Sequence, residues 1–132
     1  MSVPPEQPWI LLVEDEPDVA ESLTEILTSN GYRVMHSARA ADAITKLCNQ
    51  HFACLLLDMQ LADGGSGEEI ISYTRTSNKD LNATTPIIVT SGHLDTELVK
   101  RISHHVAGVL VKPFTPATLL AKVQAAISFR KS

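Results

Sequence analysis

Short apolar runs alternate along the chain with longer segments whose apolar positions recur at helical spacing. The runs are rich in Val, Ile and Leu and are bounded by turn residues, which is typical of β-strands. They predict five strands: Trp9 to Val13, Tyr32 to His36, Phe52 to Leu57, Pro86 to Thr90, and Gly108 to Val111. The third and fourth runs are almost continuously apolar, as expected for parallel strands that helices cover on both faces.

A helical segment follows each of the five strands. The first begins near Pro17, a residue favoured in the first helical turn, and ends at the Asn30-Gly31 pair. The other four are predicted to start after Ser37, near Gly67, near Asp95, and at Pro116 behind a Thr115 cap. A polar loop, Thr76 to Thr85, separates the third helix from the fourth strand and is expected to be a surface elaboration.

Five strand–helix units in 132 residues predict one α/β domain, an open, doubly wound, five-stranded parallel sheet flanked by five helices. We place this domain at residues 9–129, between short tails at 1–8 and 130–132. Such sheets carry their functional residues at the carboxyl ends of the strands, near the point where the strand order reverses. The residues at the strand ends are therefore the candidates for a site.

Composition narrows the classes of function. The net charge is −4 and Lys and Arg form no clustered stripe, so direct nucleic-acid binding is not expected. No apolar run has the length of a membrane span and the N-terminus lacks the pattern of a signal peptide, so a cytoplasmic protein without membrane insertion is expected.

Cys48 and Cys54 are not spaced as a metal or redox pair and are expected to be buried, reduced thiols. The five histidines show no ligand spacing, so none is assigned to a metal.

Acidic residues stand at the ends of the first and third predicted strands. Glu14 and Asp15 follow Val13, and Asp58 follows Leu57. At one edge of a parallel sheet these carboxylates would repel one another unless a cation lay between them. Proteins hold Mg²⁺ with one or two carboxylates together with phosphate oxygens and water. The cluster therefore predicts a magnesium ion and a phosphate, with Asp58 able to act as metal ligand and as nucleophile.

Ser91 and Lys112 follow the fourth and fifth predicted strands. A hydroxyl and a mobile ammonium group can hold the remaining oxygens of a phosphoryl group and neutralise its charge. Glu16 and Asp18 instead suit the start of the first helix, where the helix dipole favours negative charge. The Gly-rich segment Asp63 to Gly67 lacks the lysine and spacing of a Walker motif and is interpreted as a flexible turn.

Four segments, "LLVEDEP", "LLLDMQLADGGSGEEI", "PIIVTSGH" and "GVLVKPFTPATLLAKV", resemble in order the motifs of the receiver domain of two-component response regulators. The resemblance covers roughly Trp9 to Phe129 and implies a flavodoxin-like (βα)5 fold. It implies Asp58 as phosphoacceptor, Ser91 as switch hydroxyl, and Lys112 as the lysine that contacts the phosphoryl group. It also implies a cis bond before Pro113, and Mg²⁺ bound by Asp15 or Glu14, by Asp58, and by the main-chain carbonyl of Gln60. Asp15 would be the more direct ligand of the acidic pair.

The family resemblance implies a signalling switch rather than an enzyme. Asp58 would accept a phosphoryl group from a phosphohistidine on a sensor histidine kinase or phosphotransfer protein, in a Mg-dependent reaction. The surface formed by the fourth helix, fifth strand and fifth helix would then change for a downstream effector protein or domain. Whether phosphorylation also brings homodimerisation stays open.

Some positions depart from the family pattern. Val109 stands where the family often has an aromatic switch residue, so coupling to the partner surface must be carried by something else or be weaker. Ala62 replaces a common proline, which should loosen the loop after Asp58. Gln60 and His93 lie at positions that tune how long the phosphoryl group lasts in this family.

Two other classes of function stay open. A Mg-dependent phosphohydrolase-type enzyme on a related α/β fold would typically carry a second aspartate two residues after Asp58, where this chain has Gln60. A phosphorylation-independent docking module is disfavoured because every core residue type of the site is present. A flavin or dinucleotide binder is disfavoured too, since the acidic turn after the first strand would repel phosphates.

Overall fold

Strands and helices alternate in the predicted order along the computed structural model, which describes residues 7–61, 67–76, 81–93 and 95–131. The strands are β1 (Trp9–Val13), β2 (Arg33–Ser37), β3 (Cys54–Asp58), β4 (Ile87–Ser91) and β5 (Gly108–Val111). The helices are α1 (Pro17–Thr28), α2 (Ala40–Asn49), α3 (Gly67–Thr76), α4 (Thr96–Ile102) and α5 (Pro116–Lys131). Ala62 and most of the predicted Gly-rich turn lie outside the described residues.

The five strands form one parallel sheet in the order β2-β1-β3-β4-β5. This order confirms the predicted doubly wound, flavodoxin-like sheet. The order reverses between β1 and β3, which are neighbours paired at Val13 and Leu57. Because the strands are parallel, the residues that come next, Glu14 and Asp58, emerge side by side at the carboxyl edge of the sheet.

Each face of the sheet carries its own apolar layer. Alternate residues of the central strands point to opposite faces, so Leu11 and Leu55 belong to one layer and Leu12 and Leu56 to the other. The first layer includes buried residues of α2 and α3, and the second includes buried residues of α1 and α5. All five residues of β3 are buried, which explains why its sequence is apolar without alternation.

The central strands end one residue later than predicted, and they also begin later, β3 at Cys54 rather than Phe52 and β4 at Ile87 rather than Pro86. β3 continues to Asp58 and β4 to Ser91, because the parallel ladder still pairs Asp58 with Thr90 and Ser91 with Val111. The amide of Met59 also donates to the carbonyl of Thr90 at 3.1 Å. The sheet itself, rather than a loop, therefore holds the backbone of Asp58 and Ser91.

The polar loop before β4 is more than the predicted surface elaboration, since Asn82 and Thr85 are buried. Oδ1 of Asn82 accepts the amide of Phe52 at 2.8 Å, and its Nδ2 donates to the carbonyls of Leu47 and Gln50 at 2.9 and 2.8 Å. These carbonyls belong to the C-terminal end of α2, where the helix leaves them without internal partners. The prediction is wrong for this part of the loop, because Asn82 joins the end of α2 to Phe52, in the segment that leads into β3.

The two cysteines have different environments. Cys54 is fully buried in β3, and burial raises the pKa of its thiol to about 12. Cys48 is exposed on α2, next to the hydroxyl of Tyr73 on α3. The prediction of a buried thiol is wrong for Cys48, because it lies about 100° around the helix from the buried Leu47.

Within the described part of the chain, no helix has the length and apolar character needed to cross a membrane.

Candidate functional site

Three carboxylates meet at the carboxyl edge of the sheet, where β1 and β3 end. Glu14, Asp15 and Asp58 each offer an oxygen, and these oxygens all lie within 4.8 Å of one another. Glu14 is 1% exposed and Asp58 is 4% exposed, whereas Asp15 is half-buried. The fold thus brings together the three acids that the sequence analysis selected from two distant segments.

Lys112 lies between two of these acids. Its Nζ is 3.2 Å from Oε1 of Glu14 and 3.4 Å from Oδ2 of Asp58. Its amide donates to the carbonyl of Ser91 at 2.8 Å, which fixes the base of the side chain next to the end of β4. Burial alone would lower the pKa of Lys112, but the charge of Asp58 and the hydrogen bond and charge of Glu14 outweigh burial and raise it. Lys112 is therefore a cation at neutral pH.

Glu14 is the most deeply buried acid of the cluster. Burial raises the pKa of its carboxyl group, and the negative charge of Asp58 raises it further. The amide of Glu16, which donates to its Oε2 at 3.2 Å, and the ammonium of Lys112 offset only part of this increase. The ionised form of Glu14 is thus less favourable here than in water, and a further positive charge nearby would stabilise it.

The cluster has the donor atoms that a hard divalent cation requires. Its three side-chain donors are carboxylates, and one lysine leaves their combined negative charge only partly balanced. The turn after Asp58 is held close to it, because the amide of Gln60 donates to Oδ1 of Asp58 at 3.0 Å. Carboxylate and main-chain oxygens are the ligands that Mg²⁺ prefers, so the residues present fit this ion.

Ser91 lies at the same edge of the sheet but is hydrogen-bonded within its own turn. Its Oγ donates to the carbonyl of His93 at 2.7 Å and accepts the amide of His93 at 3.2 Å. The side chain is buried, at 5% exposure, beside the Asp58–Thr90 pair of the ladder. Lys112 and Pro113 are joined by a cis peptide bond, as the family resemblance implies.

Residues of β2 and α2 support the acidic turn, and the sequence analysis did not select them. The amide of Glu14 donates to the carbonyl of Ser37 at 3.0 Å, and the carbonyl of Glu14 lies 2.7 Å from Nε2 of His36. Nζ of Lys46 donates to the carbonyl of His36 and to Oγ of Ser37, both at 2.9 Å. The hydroxyl of Ser37 donates in turn to Asp42 at 2.7 Å. The feature of the sequence that could have indicated His36 is its place at the end of a predicted strand, because such a residue lies at this edge of the sheet.

Known proteins match this chain over most of its length. The family model described as the response regulator receiver domain matches residues 10–124. The transcriptional regulatory protein GltR of Pseudomonas aeruginosa is 30% identical over 116 residues, which are 88% of this chain and 47% of that protein. The sensor histidine kinase TmoS of Ectopseudomonas mendocina is 32% identical over 126 residues, which are 95% of this chain and 12% of that protein. The chain thus spans less than half the length of these two relatives.

A solved structure with the same fold is the receiver domain of a sensor histidine kinase from Pseudomonas aeruginosa PAO1. It aligns with a TM-score of 0.82 and 27% identity, covering 92% of this chain and 98% of that one. A magnesium ion is coordinated in the active site cleft of that protein. The family match, the strand order and the acidic cluster agree, and the chain belongs to the response regulator receiver domain family, which acts as the signalling switch of two-component systems.

Proposed function

We propose that this receiver domain is a Mg-dependent phosphoacceptor switch in which Asp58 receives a phosphoryl group from a phosphohistidine. The donor is a sensor histidine kinase or a phosphotransfer protein. The observation that carries the proposal is the convergence of three carboxylates, with Nζ of Lys112 within 3.4 Å of Glu14 and Asp58. Such a cluster can accept a phosphoryl group and balance the charge that arrives with it.

Asp58 is the proposed nucleophile. One of its carboxylate oxygens attacks the phosphorus, the P–N bond to the histidine breaks, and its electron pair returns to the imidazole. The product on the receiver is an acyl phosphate. The amide of Gln60 on Oδ1 and the ammonium of Lys112 on Oδ2 hold the carboxylate in one orientation for this attack.

Asp15, Glu14, Asp58 and the main-chain carbonyl of Gln60 are the proposed ligands of Mg²⁺, with Asp15 the more direct ligand of the acidic pair. When bound, the ion supplies positive charge at the phosphoryl oxygens. Lys112 supplies a second positive charge, because its flexible side chain can move from the carboxylates to a phosphoryl oxygen. The two positive groups together offset the charge that develops on the transferred group.

Ser91 is the proposed switch hydroxyl. It donates to the carbonyl of His93, and a phosphoryl group on Asp58 would be a stronger acceptor for the same proton. The turn after Ser91 leads directly into α4, which begins at Thr96. A new partner for Ser91 would therefore shift the conformational equilibrium of the surface formed by α4, β5 and α5. This surface is the proposed contact for a downstream effector.

Intact-mass measurement tests the proposal. The protein is incubated with Mg²⁺ and acetyl phosphate, and the expected result is a gain of one phosphoryl group that is stable in acid and labile in base. The gain should disappear with EDTA and in Asp58→Asn, but should persist in the control Asp18→Asn, which changes an exposed acid on α1. No gain in the wild type, or an undiminished gain in Asp58→Asn, would overturn the proposal. Turnover of a phosphoester substrate would favour a phosphohydrolase instead.

A further inference from the structure

The imidazole of His36 supports the acidic turn from the neighbouring strand. We propose that His36 is a positioning residue for the metal site: it fixes the peptide group between Glu14 and Asp15 and thereby orients the Asp15 carboxylate toward Mg²⁺. This inference rests on the proposed function, because it assumes that the acidic cluster binds the ion.

The hydrogen bonds around Glu14 carry the inference. The β1–β2 ladder reaches its last pair at Val13 and Ser37, and the amide of Glu14 then donates to the carbonyl of Ser37. Nε2 of His36 lies 2.7 Å from the carbonyl oxygen of Glu14. A side chain of β2 thus continues the contact between the two strands by one more hydrogen bond.

The bond to His36 acts on Asp15 through the backbone. The carbonyl of Glu14 and the amide of Asp15 belong to one planar peptide group, so a hydrogen bond on the carbonyl fixes the plane from which Asp15 projects. Glu14 and Asp58 are buried, and Asp15 lies half-buried at the same edge of the sheet. The side chain of Asp15 leaves the Cα atom that directly follows this peptide group, so the orientation of the group sets the direction in which the side chain starts.

The backbone of His36 is itself anchored by α2. Nζ of Lys46 donates to the carbonyl of His36 and to Oγ of Ser37, and Asp42 holds both Lys46 and Ser37. The imidazole must donate to the carbonyl of Glu14, and both the Nε2–H tautomer and the imidazolium can do so. The proposed role therefore does not depend on the charge of the imidazole.

Three variants test the role of His36. His36→Phe keeps a ring of similar shape and removes the donor, and His36→Gln restores an N–H donor of similar reach. His104→Phe is the control, because His104 is an exposed histidine that follows α4 at the opposite end of the sheet. Binding of Mg²⁺ alone is measured by calorimetry, and phosphorylation by acetyl phosphate is measured across Mg²⁺ concentrations.

We expect His36→Phe to weaken Mg²⁺ binding about 3- to 10-fold, the effect of losing one hydrogen bond that supports a ligand. The maximal phosphorylation rate at saturating Mg²⁺ should stay within about 2-fold of wild type, and His36→Gln should recover most of the affinity. His104→Phe should bind Mg²⁺ as the wild type does.

An unchanged affinity in His36→Phe, or a loss that His36→Gln does not restore, would overturn the inference while leaving Asp58 as phosphoacceptor. A wild-type protein that binds no Mg²⁺ and accepts no phosphoryl group would instead overturn the proposed function, and this inference with it.

Discussion

Nζ of Lys112 lies 3.2 Å from Glu14 and 3.4 Å from Asp58, so one ammonium group bridges the acids at the ends of two neighbouring strands. The side chain of Lys112 is 26% exposed, while those of Glu14 and Asp58 are 1% and 4% exposed. The charge balance of the two buried carboxylates therefore depends on a partly exposed lysine, and the energetic consequence can be measured.

Lys112→Met should destabilise the protein in EDTA by about 1–3 kcal/mol, because two buried carboxylates lose their counter-charge. Mg²⁺ should stabilise the variant more than the wild type, since the unbalanced carboxylates attract the ion more strongly. Urea unfolding with EDTA and with Mg²⁺ checks both expectations. Lys122→Met, on the exposed side of α5, should change stability by less than about 0.5 kcal/mol. If Mg²⁺ stabilised Lys112→Met and the wild type equally, Lys112 would not be the group that balances the charge of the two buried carboxylates.

Asn82→Ala should destabilise the protein by about 2–4 kcal/mol. The substitution leaves the amide of Phe52 and the carbonyls of Leu47 and Gln50 without the partner that Asn82 provides, and unpaired buried polar groups are costly. Urea unfolding measures the loss, with Asn49→Ala on the exposed side of α2 as control. Similar stabilities of the two variants would show that the Asn82 contacts do not hold α2 and β3 together.

Gly67→Ala should destabilise the protein by about 1–3 kcal/mol through overpacking. A Cβ atom at position 67 would overlap Sδ of Met59 and lie 3.0 Å from its Cα, directly beside Asp58. Gly92→Ala is the matched control, since among the residues that the structure describes its Cβ would meet only Oε1 of Gln60, at 3.7 Å. The two alanine variants and the wild type are compared by thermal unfolding. An unfolding midpoint for Gly67→Ala equal to that of the wild type would contradict the close approach of Gly67 to Met59.

Acid should remove the stability that Asp42 contributes. In the folded protein, hydrogen bonds from Lys46 and Ser37 lower the pKa of the Asp42 carboxyl group below its ordinary value of 3.8. A lowered folded-state pKa means that the contribution is present above about pH 4 and is lost as pH falls through the folded-state value. Because the group is largely exposed, the contribution should be about 0.2–1 kcal/mol.

Urea unfolding of wild type and Asp42→Asn at pH 6 and pH 3 tests this pH dependence. The stability difference between them should be present at pH 6 and smaller at pH 3. A difference that is constant with pH would show that the carboxylate charge of Asp42 does not contribute.

Much of the fold follows from the sequence because one strong pattern determines it. The apolar runs give β1 and β5 with their observed bounds, and the continuous run at β3 predicts a strand that is buried on both faces. Once the strands are parallel, the residues at their carboxyl ends must share an edge. The meeting of Glu14, Asp15 and Asp58 follows from this topology and needs no knowledge of side-chain contacts.

Features that depend on contacts between side chains and distant backbone could not be predicted. Asn82 stands in a polar loop, and only its distance to α2 and β3 reveals that it joins them. His36 shows no ligand spacing, because its contact is with a main-chain carbonyl rather than with a metal. The exposure of Cys48 depends on which side of α2 meets the sheet, and the neighbouring Leu47 occupies that side.

Site mapping tests directly whether Asp58 carries the phosphoryl group. Protein treated with acetyl phosphate and Mg²⁺ is reduced with borohydride, which converts an aspartyl phosphate to homoserine, and is then digested and sequenced by tandem mass spectrometry. We expect homoserine at position 58, unmodified aspartate at position 15, and no homoserine in samples prepared with EDTA. Homoserine at any other aspartate, or none at position 58 in protein that has gained a phosphoryl mass, would contradict this assignment.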